Sequence, residues 1–120
     1  MALKRLDLPD GQWADQRTVP TNAQFRAIQE SDDWQSMGRQ LTEAWYVRGD
    51  DGQPLPLGRE PDGLGGHRFD DAGWGAADAG LILDICAGAA VLFNEWLTQR
   101  RPKVTTTTSS DDTSEAPKSP

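Results

Sequence analysis

The sequence contains no evident nucleophilic triad. The only histidine, His67, follows a glycine-rich stretch, and the only cysteine, Cys86, lies in an apolar run. A catalytic pair needs a nucleophile and a base held within hydrogen-bonding reach of each other. A solitary histidine in a loop is usually solvated, and a cysteine among apolar residues is usually a small core residue. We therefore expect that this protein is not an enzyme.

The acidic and glycine-rich motifs are also incomplete as ligand sites. Asp50-Asp51 and Asp70-Asp71 are carboxylate pairs without the glycine and terminal glutamate of a calcium loop. One histidine and one cysteine cannot form the usual structural zinc sites. Gly63–Gly66 reads GLGG and lacks the lysine-containing phosphate cradle. The sequence thus predicts no metal and no cofactor, and it assigns these residues to turns, helix caps and a flexible connection.

The aromatic residues are more informative, because five of the 120 residues are tryptophan. A single tryptophan is more often part of a core than of a surface, but aromatic side chains also dominate protein interfaces. A small domain with so many of them, beside a proline–leucine segment, is a candidate for binding apolar protein segments. The predicted contact residues are Trp45, Tyr46, Leu55, Leu57 and Trp96.

Composition narrows the classes of partner. The net charge of -7 disfavours nucleic acid, because an acidic surface repels phosphates. A single cysteine allows no intramolecular disulfide, which fits a reducing cytoplasm. The N-terminus has no apolar signal core, and the longest apolar run, Ala79–Phe93, contains Asp84 and is shorter than the about 20 residues that span a bilayer. We expect a cytoplasmic protein without a membrane or nucleic-acid partner.

An N-terminal β-hairpin is predicted over residues 1–20. Pro9-Asp10-Gly11 is a turn signal that follows Leu3, Leu6 and Leu8 and precedes the segment from Trp13 to Val19. An isolated hairpin is marginally stable in water, so it must pack on the rest of the chain or on a partner.

A helical domain is predicted over residues 21–99. Thr21 and Gln24 fit a capping box at the start of a helix that contains Phe25 and Ile28. A second helix is expected from Asp32 to about Val47, because apolar residues recur there at helical spacing: Trp34, Met37, Leu41, Ala44 and Trp45. The alternative interpretation makes Thr42–Val47 a strand.

The second half of the chain combines a loop, a helix and a tail. Six glycines and three prolines in residues 49–66 predict a long loop, extended to 74. Asp78–Gln99 is the strongest helical segment, with Leu81, Ile85, Leu92 and Trp96 expected to be buried. Residues 100–120 are almost without apolar side chains and are predicted to be disordered. The predicted fold class is α+β, mainly α, with the hairpin packed on the helical domain.

Two segments resemble tail assembly chaperones of long-tailed, siphovirus-type bacteriophages. Leu41–Leu57 reads LTEAWYVRGDDGQPLPL, which is similar to the family's apolar run ending in tryptophan, acidic "DG" turn and "PLP". Leu8–Arg17, LPDGQWADQR, resembles the opening hairpin of many such chaperones from phages of actinobacteria. Together the two segments cover about a quarter of the chain.

The resemblance implies a function and its partners. Such chaperones bind the long, helical, aggregation-prone tape measure protein in the host cytoplasm and are generally absent from the mature virion. Many are also made in a longer, frameshifted form that recruits the tail tube protein, and Pro102-Lys103 and Pro117-Lys118 can both be encoded by a slippery C-CCA-AAG heptamer. Self-association is a further expectation. Two alternatives remain: a structural phage protein, such as a head-tail connector or minor tail protein, or a small antitoxin-like regulatory binding protein.

Overall fold

Four α-helices and two small antiparallel sheets form residues 1–100, the part of the chain that the computed structural model describes. This architecture confirms the predicted α+β class. The predicted disordered tail lies outside the described residues, apart from Arg100. The elements are β1 (Leu3–Asp7), β2 (Trp13–Arg17), α1 (Asn22–Glu30), α2 (Ser36–Leu41), β3 (Thr42–Tyr46), β4 (Arg59–Pro61), β5 (His67–Phe69), α3 (Ala72–Ala76) and α4 (Ala79–Arg100).

The N-terminal hairpin is confirmed and continues into a three-stranded sheet of order β1-β2-β3. Its turn is a short 3-10 segment in which Asp10 and Gly11 have φ values of 61° and 76°. Aspartate tolerates this left-handed conformation better than most residues, and glycine adopts it freely. One face of the sheet, which includes Ala14 and Gln16, is buried against α4.

The capping box that begins α1 is also confirmed. The hydroxyl of Thr21 accepts from the backbone N–H of Gln24 at 3.1 Å, and the Gln24 side chain accepts from the backbone N–H of Thr21 at 2.9 Å. Two backbone N–H groups that the helix itself cannot pair are thereby satisfied.

The helix predicted from Asp32 to Val47 is confirmed only over Ser36–Leu41, because α2 ends at Leu41 and the chain continues directly as β3, in agreement with the alternative strand at Thr42–Val47. The Thr42 hydroxyl donates to the carbonyl oxygen of Gly38 at 2.7 Å where α2 ends. Trp45 then pairs with Ala14 of β2, so pairing between strands overrides the helical spacing. Trp34, the first residue of the supposed helical stripe, is 59% exposed.

The predicted loop at residues 49–74 is also only partly correct. It contains the β4–β5 hairpin, and α3 begins near its end. Gly58 allows this compact path: its φ is +71°, and a Cβ there would overlap the carbonyl oxygen of Asp70. The backbone N–H of Asp70 donates to the carbonyl of Gly58 at 2.7 Å, which closes the base of the hairpin.

The helix predicted at Asp78–Gln99 is confirmed as α4, which joins the two hydrophobic clusters of the core. Of its predicted core residues, Leu81, Ile85 and Leu92 are buried and Trp96 is partly buried. The first cluster lies between α4, the three-stranded sheet and α3, and its buried members are Leu8, Ala14, Val47, Trp74, Leu81, Ile82, Ile85 and Cys86. The second lies between α4, α1 and α2, and its buried members are Ile28, Leu41, Ala89 and Phe93.

By length and composition alone, α4 would also be long and apolar enough to cross a membrane, with a mean hydropathy of 1.5 over 18 residues. The same property is found in core helices of soluble proteins. Seven residues of α4 are buried against the rest of the domain, from Leu81 to Phe93. This packing favours its interpretation as a core helix.

Candidate protein-binding surface

Trp45, the central residue of the predicted binding site, is fixed in the first hydrophobic cluster. Its ring stacks on that of Trp74 with centroids 5.6 Å apart and planes inclined by 3°. Its indole N–H donates to the carbonyl oxygen of Leu55 at 2.9 Å. The ring of Trp45 thus has a stacking partner and its N–H group has a hydrogen-bond acceptor within the domain, which is typical of a structural tryptophan.

Leu55 and Leu57 are partly buried and pack against the same cluster. The backbone N–H of Leu55 donates to the carbonyl of Val47 at 2.8 Å, which folds the segment back along the end of β3. The neighbouring Pro56 carbonyl lies so close to α3 that a Cβ on Gly73 would overlap its oxygen. The proline–leucine segment is thus attached to the domain along its length.

Tyr46 lies on the opposite face of the sheet from the core. It pairs with Trp13 of β2, and the guanidinium of Arg48 lies 5.6 Å from its ring centroid. The guanidinium of Arg5 covers Trp13 at 3.9 Å and also binds the Asp15 carboxylate through two hydrogen bonds of 2.7 and 3.0 Å. This outer sheet face combines aromatic rings with charged groups that are already paired.

Trp96 belongs to the second hydrophobic cluster. It contacts Phe25 edge-on, with centroids 5.6 Å apart, and Phe93 at 5.8 Å. Its indole N–H is buried and has no hydrogen-bond partner among the described residues. The ring also lines a cavity of about 270 Å³ between α4 and the edge of the sheet, together with Lys4 and Leu92.

The structure therefore does not assemble the five predicted contact residues into one surface. Trp45, Leu55 and Leu57 share the first cluster, Tyr46 lies on the outer sheet face, and Trp96 lies in the second cluster. Their role in binding stays a prediction.

A different apolar surface, none of whose residues is among the five predicted contact residues, lies on the solvent side of α4. We define the α4 outer face by Leu83, Ala87, Ala90 and Val91. Leu83 is 54% exposed and Val91 56% exposed. Asp84 is the only charged residue in the helix between Ala79 and Asn94. Charged side chains normally cover the exposed face of a helix in a soluble domain. Projecting Asp78–Gln99 on a helical wheel would have separated Leu83, Ala87 and Val91 from the buried stripe.

A buried polar cluster, also missed, attaches the β4–β5 hairpin to the rest of the domain. The side chain of Arg59 is 6% exposed and donates to the carbonyl oxygens of Arg39, Gln40 and Thr42, near the end of α2. It forms an ion pair with Glu43 at 3.1 Å. Arg59 thus satisfies carbonyl groups that the helix leaves unpaired at its C-terminus.

His67 completes this cluster. Its ring nitrogens lie 2.9 and 3.1 Å from one terminal nitrogen of Arg59. A guanidinium has only donors, so this contact is a hydrogen bond only when the imidazole is neutral and one of its nitrogens accepts. Burial is the main cause that lowers the pKa of His67 below its ordinary value of 6.5, and the positive charge of Arg59 is the second cause. Burial likewise lowers the pKa of Arg59, opposed by the charge of Glu43.

The structure supports the structural interpretation of Cys86. Its thiol is buried, and burial raises its pKa to about 11. A Cβ on Gly38 would lie 2.7 Å from its sulfur, so α2 and α4 approach each other closely at this point. A buried thiol with a raised pKa is a poor nucleophile at neutral pH.

An open, polar cleft of about 790 Å³ lies beside the 3-10 turn. Three carboxylates line it, those of Asp10, Asp50 and Asp78, together with Arg48. Asp78 accepts from the backbone N–H groups of Gly80 and Leu81, which explains it as the cap of α4. Within residues 1–100, no group of three or more His, Cys, Asp or Glu side chains is arranged to hold a metal ion.

Comparison with protein-family models, with characterised proteins and with solved structures finds no match to this chain.

Proposed function

We propose that this protein is a bacteriophage tail assembly chaperone that binds the tape measure protein and keeps it soluble while the tail is built. The observation that carries the proposal is the α4 outer face, which is apolar, exposed among residues 1–100 and held rigidly by a buried helix. The resemblance of Leu41–Leu57 and Leu8–Arg17 to this chaperone family supplies the class of partner.

The proposed contact is between helices. A helical, aggregation-prone protein exposes apolar stripes, and an amphipathic helix binds by laying such a stripe on an apolar surface. Leu83 and Val91 lie two turns apart on one side of α4, so they can contact a bound helix at two points about 12 Å apart along the axis. In this arrangement Trp45, Leu55 and Leu57 act indirectly, by holding the sheet against α4.

Co-expression with the tape measure protein encoded by the same phage tests this proposal. The wild-type chain should raise the soluble fraction of the tape measure protein. Val91→Asp should largely abolish this effect, because a carboxylate would be buried against apolar side chains. Leu64→Asp is the matched control, since Leu64 is 84% exposed in the β4–β5 turn, away from α4. Failure of the wild-type chain to solubilise its partner would refute the proposal.

Trp45→Ala distinguishes the α4 outer face from the predicted aromatic site. If α4 makes the contact, this variant should lose solubilising activity only as far as it unfolds, as measured by circular dichroism. A folded Trp45→Ala variant without activity would instead favour the originally predicted site.

The proposal extends to localisation and to a longer form. The chaperone is expected in the host cytoplasm during assembly and not in purified virions, which mass spectrometry of the particles would check. A frameshifted form that recruits the tail tube protein requires a slippery sequence late in the gene and an overlapping downstream frame. The gene sequence decides both requirements.

A further inference from the structure

We propose that the free edge of β1 binds an extended segment of a partner protein, which adds a fourth strand to the three-stranded sheet. The segment carries an acidic residue and, two residues further along, an apolar one, with both side chains directed towards α4. This inference does not rest on the proposed function, because the contact is made by the backbone of β1 and not by the α4 outer face.

The backbone of β1 leaves one row of hydrogen-bonding groups unpaired. The backbone N–H of Leu8, directly after β1, donates to the carbonyl oxygen of Gln12 at 2.9 Å. Bonded and non-bonded pairs alternate in an antiparallel ladder, so the even-numbered residues of β1 bond to β2. The N–H and C=O groups of Leu3, Arg5 and Asp7 therefore point away from β2, and within residues 1–100 they have no hydrogen-bond partner. Four of the five β1 residues are exposed.

The opposite edge of the same sheet, along β3, is covered. The backbone N–H of Leu55 donates to the carbonyl oxygen of Val47 at 2.8 Å, and the Arg59 side chain donates to the carbonyl oxygen of Thr42. Natural proteins usually cover or block their edge strands, because an open edge pairs readily with another strand. The contrast between the two edges leaves β1 as the edge of this sheet that can accept a further strand.

A groove lies between this open edge and α4, and it contains two cavities of about 200 and 270 Å³. Leu6 and Val91 line the smaller cavity, and Trp96 lines the larger one. Lys4 and Leu92 border both. Side chains of an added strand that point towards α4 would enter these cavities, so strand addition would bury apolar surface as well as pair the backbone.

The β1 side chains on this side specify the sequence pattern of the segment. Lys4 and Leu6 pair with buried residues of β2, so they lie on the α4 side of the sheet. The residues opposite them in an added strand lie on the same side and are two positions apart. Leu6 and the nearby Val91 favour an apolar residue. Lys4 forms no ion pair within residues 1–100 and favours a carboxylate.

The surrounding charges are compatible with one acidic position. Arg5 is the adjacent cation, but its guanidinium already binds the Asp15 carboxylate. Asp7 lies on the opposite face of β1 from Lys4, because side chains alternate along a strand. Glu95 lines the larger cavity and would repel a second carboxylate there. Lys4 thus remains the cation that a single carboxylate of the partner would pair.

A second copy of this chain is a poor occupant of the edge. A symmetric pair centred on Arg5, the middle residue of β1, would place the two Arg5 residues directly opposite each other. Lysine on an edge strand also opposes pairing between copies. The same positive charge attracts an acidic segment, so charge favours a different chain as the partner.

NMR titration of the isotopically labelled full chain with a synthetic peptide tests the proposal. The probe is Thr-Glu-Thr-Val-Thr-Glu-Thr-Val-Thr, in which glutamate and valine alternate along one face, and the control peptide has lysine in place of each glutamate. Over a peptide range from about 10 μM to about 1 mM, we expect hydrogen exchange of the Leu3, Arg5 and Asp7 amides to slow at least about tenfold. The lysine peptide should bind at least about tenfold more weakly.

A charge swap at Lys4 tests the predicted pairing. Lys4→Glu should weaken binding of the glutamate peptide at least about tenfold and should strengthen binding of the lysine peptide. This gain cannot come from misfolding. Arg26→Glu is the matched control, since Arg26 is exposed on α1, lines neither cavity and undergoes the same change of charge. Equal weakening by both variants would mean that only net charge matters and would refute the site.

Other results identify a different occupant or a different site. No binding of the glutamate peptide up to about 1 mM, or protection confined to α4 amides, would overturn strand addition. Without peptide, faster exchange at Leu3, Arg5 and Asp7 after deletion of residues 101–120 would show that the C-terminal segment occupies the edge. Exchange that slows with protein concentration would identify a second copy. Either result would refute a separate partner.

Failure of this proposal can be distinguished from failure of the proposed function. Lys4 is not part of the α4 outer face, so Lys4→Glu should leave solubilisation of the tape measure protein unchanged while it abolishes binding of the glutamate peptide.

Discussion

The tryptophans show that residue type alone does not distinguish a binding residue from a core residue. Trp45 and Trp96 were predicted as contact residues, yet one stacks on Trp74 and the other packs on Phe25 and Phe93. The sequence could not reveal these partners, because Trp74 is 29 residues from Trp45 and Phe25 is 71 residues from Trp96. The large exposed side chains of the α4 outer face, Leu83 and Val91, are ordinary aliphatic residues, which composition alone does not distinguish from core.

The contact between Arg59 and His67 predicts a loss of stability in mild acid. The folded-state pKa of His67 is lowered below 6.5, so the unfolded chain binds a proton more readily. Stability should be intact above pH 6.5 and should fall as the pH drops through this value and then through the lower folded-state pKa. The loss is about 1.4 kcal/mol for each pH unit that separates the two pKa values.

Denaturant unfolding between pH 7.5 and pH 5 measures this effect, and His67→Gln is the control. The glutamine oxygen can still accept from Arg59 but does not titrate in this range. We expect a clearly smaller pH dependence in the variant. Equal slopes for the two proteins would mean that His67 does not govern the acid response.

At the scale of elements, the sequence predicted the parts whose signals are local. The N-terminal hairpin and the α1 capping box each depend on residues within a few positions of one another. The α4 helix has 22 residues with many apolar positions, so its apolar pattern is long enough to interpret.

The elements that were mispredicted depend on distant groups. The α2 helix ends at Leu41 for two reasons that involve residues distant in sequence. Arg59 donates to the last carbonyl groups of the helix, and β2 pairs with the chain that follows it. The same Arg59 attaches the β4–β5 hairpin, whose strands have only three residues each. Strands this short carry too little pattern to be recognised without their tertiary contacts.

Adjacent residues of α4 allow a matched test of its orientation. Leu92 is 7% exposed and contributes to the core, whereas Val91 is 56% exposed on the outer face. Leu92→Ala should lower the free energy of unfolding by about 2–5 kcal/mol, because it leaves a cavity. Val91→Ala should change it by less than about 0.5 kcal/mol, the range typical of surface positions.

Urea unfolding of dilute protein measures both values. Similar losses for the two variants would contradict the assignment of buried and exposed sides, and with it the α4 outer face.

At the scale of the whole molecule, both hydrophobic clusters are built from residues within 1–100. Deleting residues 101–120 should therefore leave the thermal midpoint nearly unchanged, because no described core contact is removed. Differential scanning calorimetry of the full and shortened chains measures this. A decrease of several degrees would show that the C-terminal segment contributes to the folded domain.

The N-terminal hairpin and α4 hold each other in place. Gln16 of β2 donates to the carbonyl oxygen of Ile85 in α4 at 2.8 Å, across 69 positions of sequence. A Cβ on Gly88 would lie 2.9 Å from the Gln16 side-chain oxygen, so the sheet crosses the helix closely at this point.

This contact determines when the hairpin can pack during synthesis of the chain. The hairpin is synthesised first, but its inner face has no cover until α4 follows. At about 5–20 residues per second, the 83 residues from Arg17 to Arg100 take roughly 4 to 17 s to synthesise. During that interval the nascent chain exposes apolar surface of its own, because the hairpin cannot complete its packing before α4 has been synthesised.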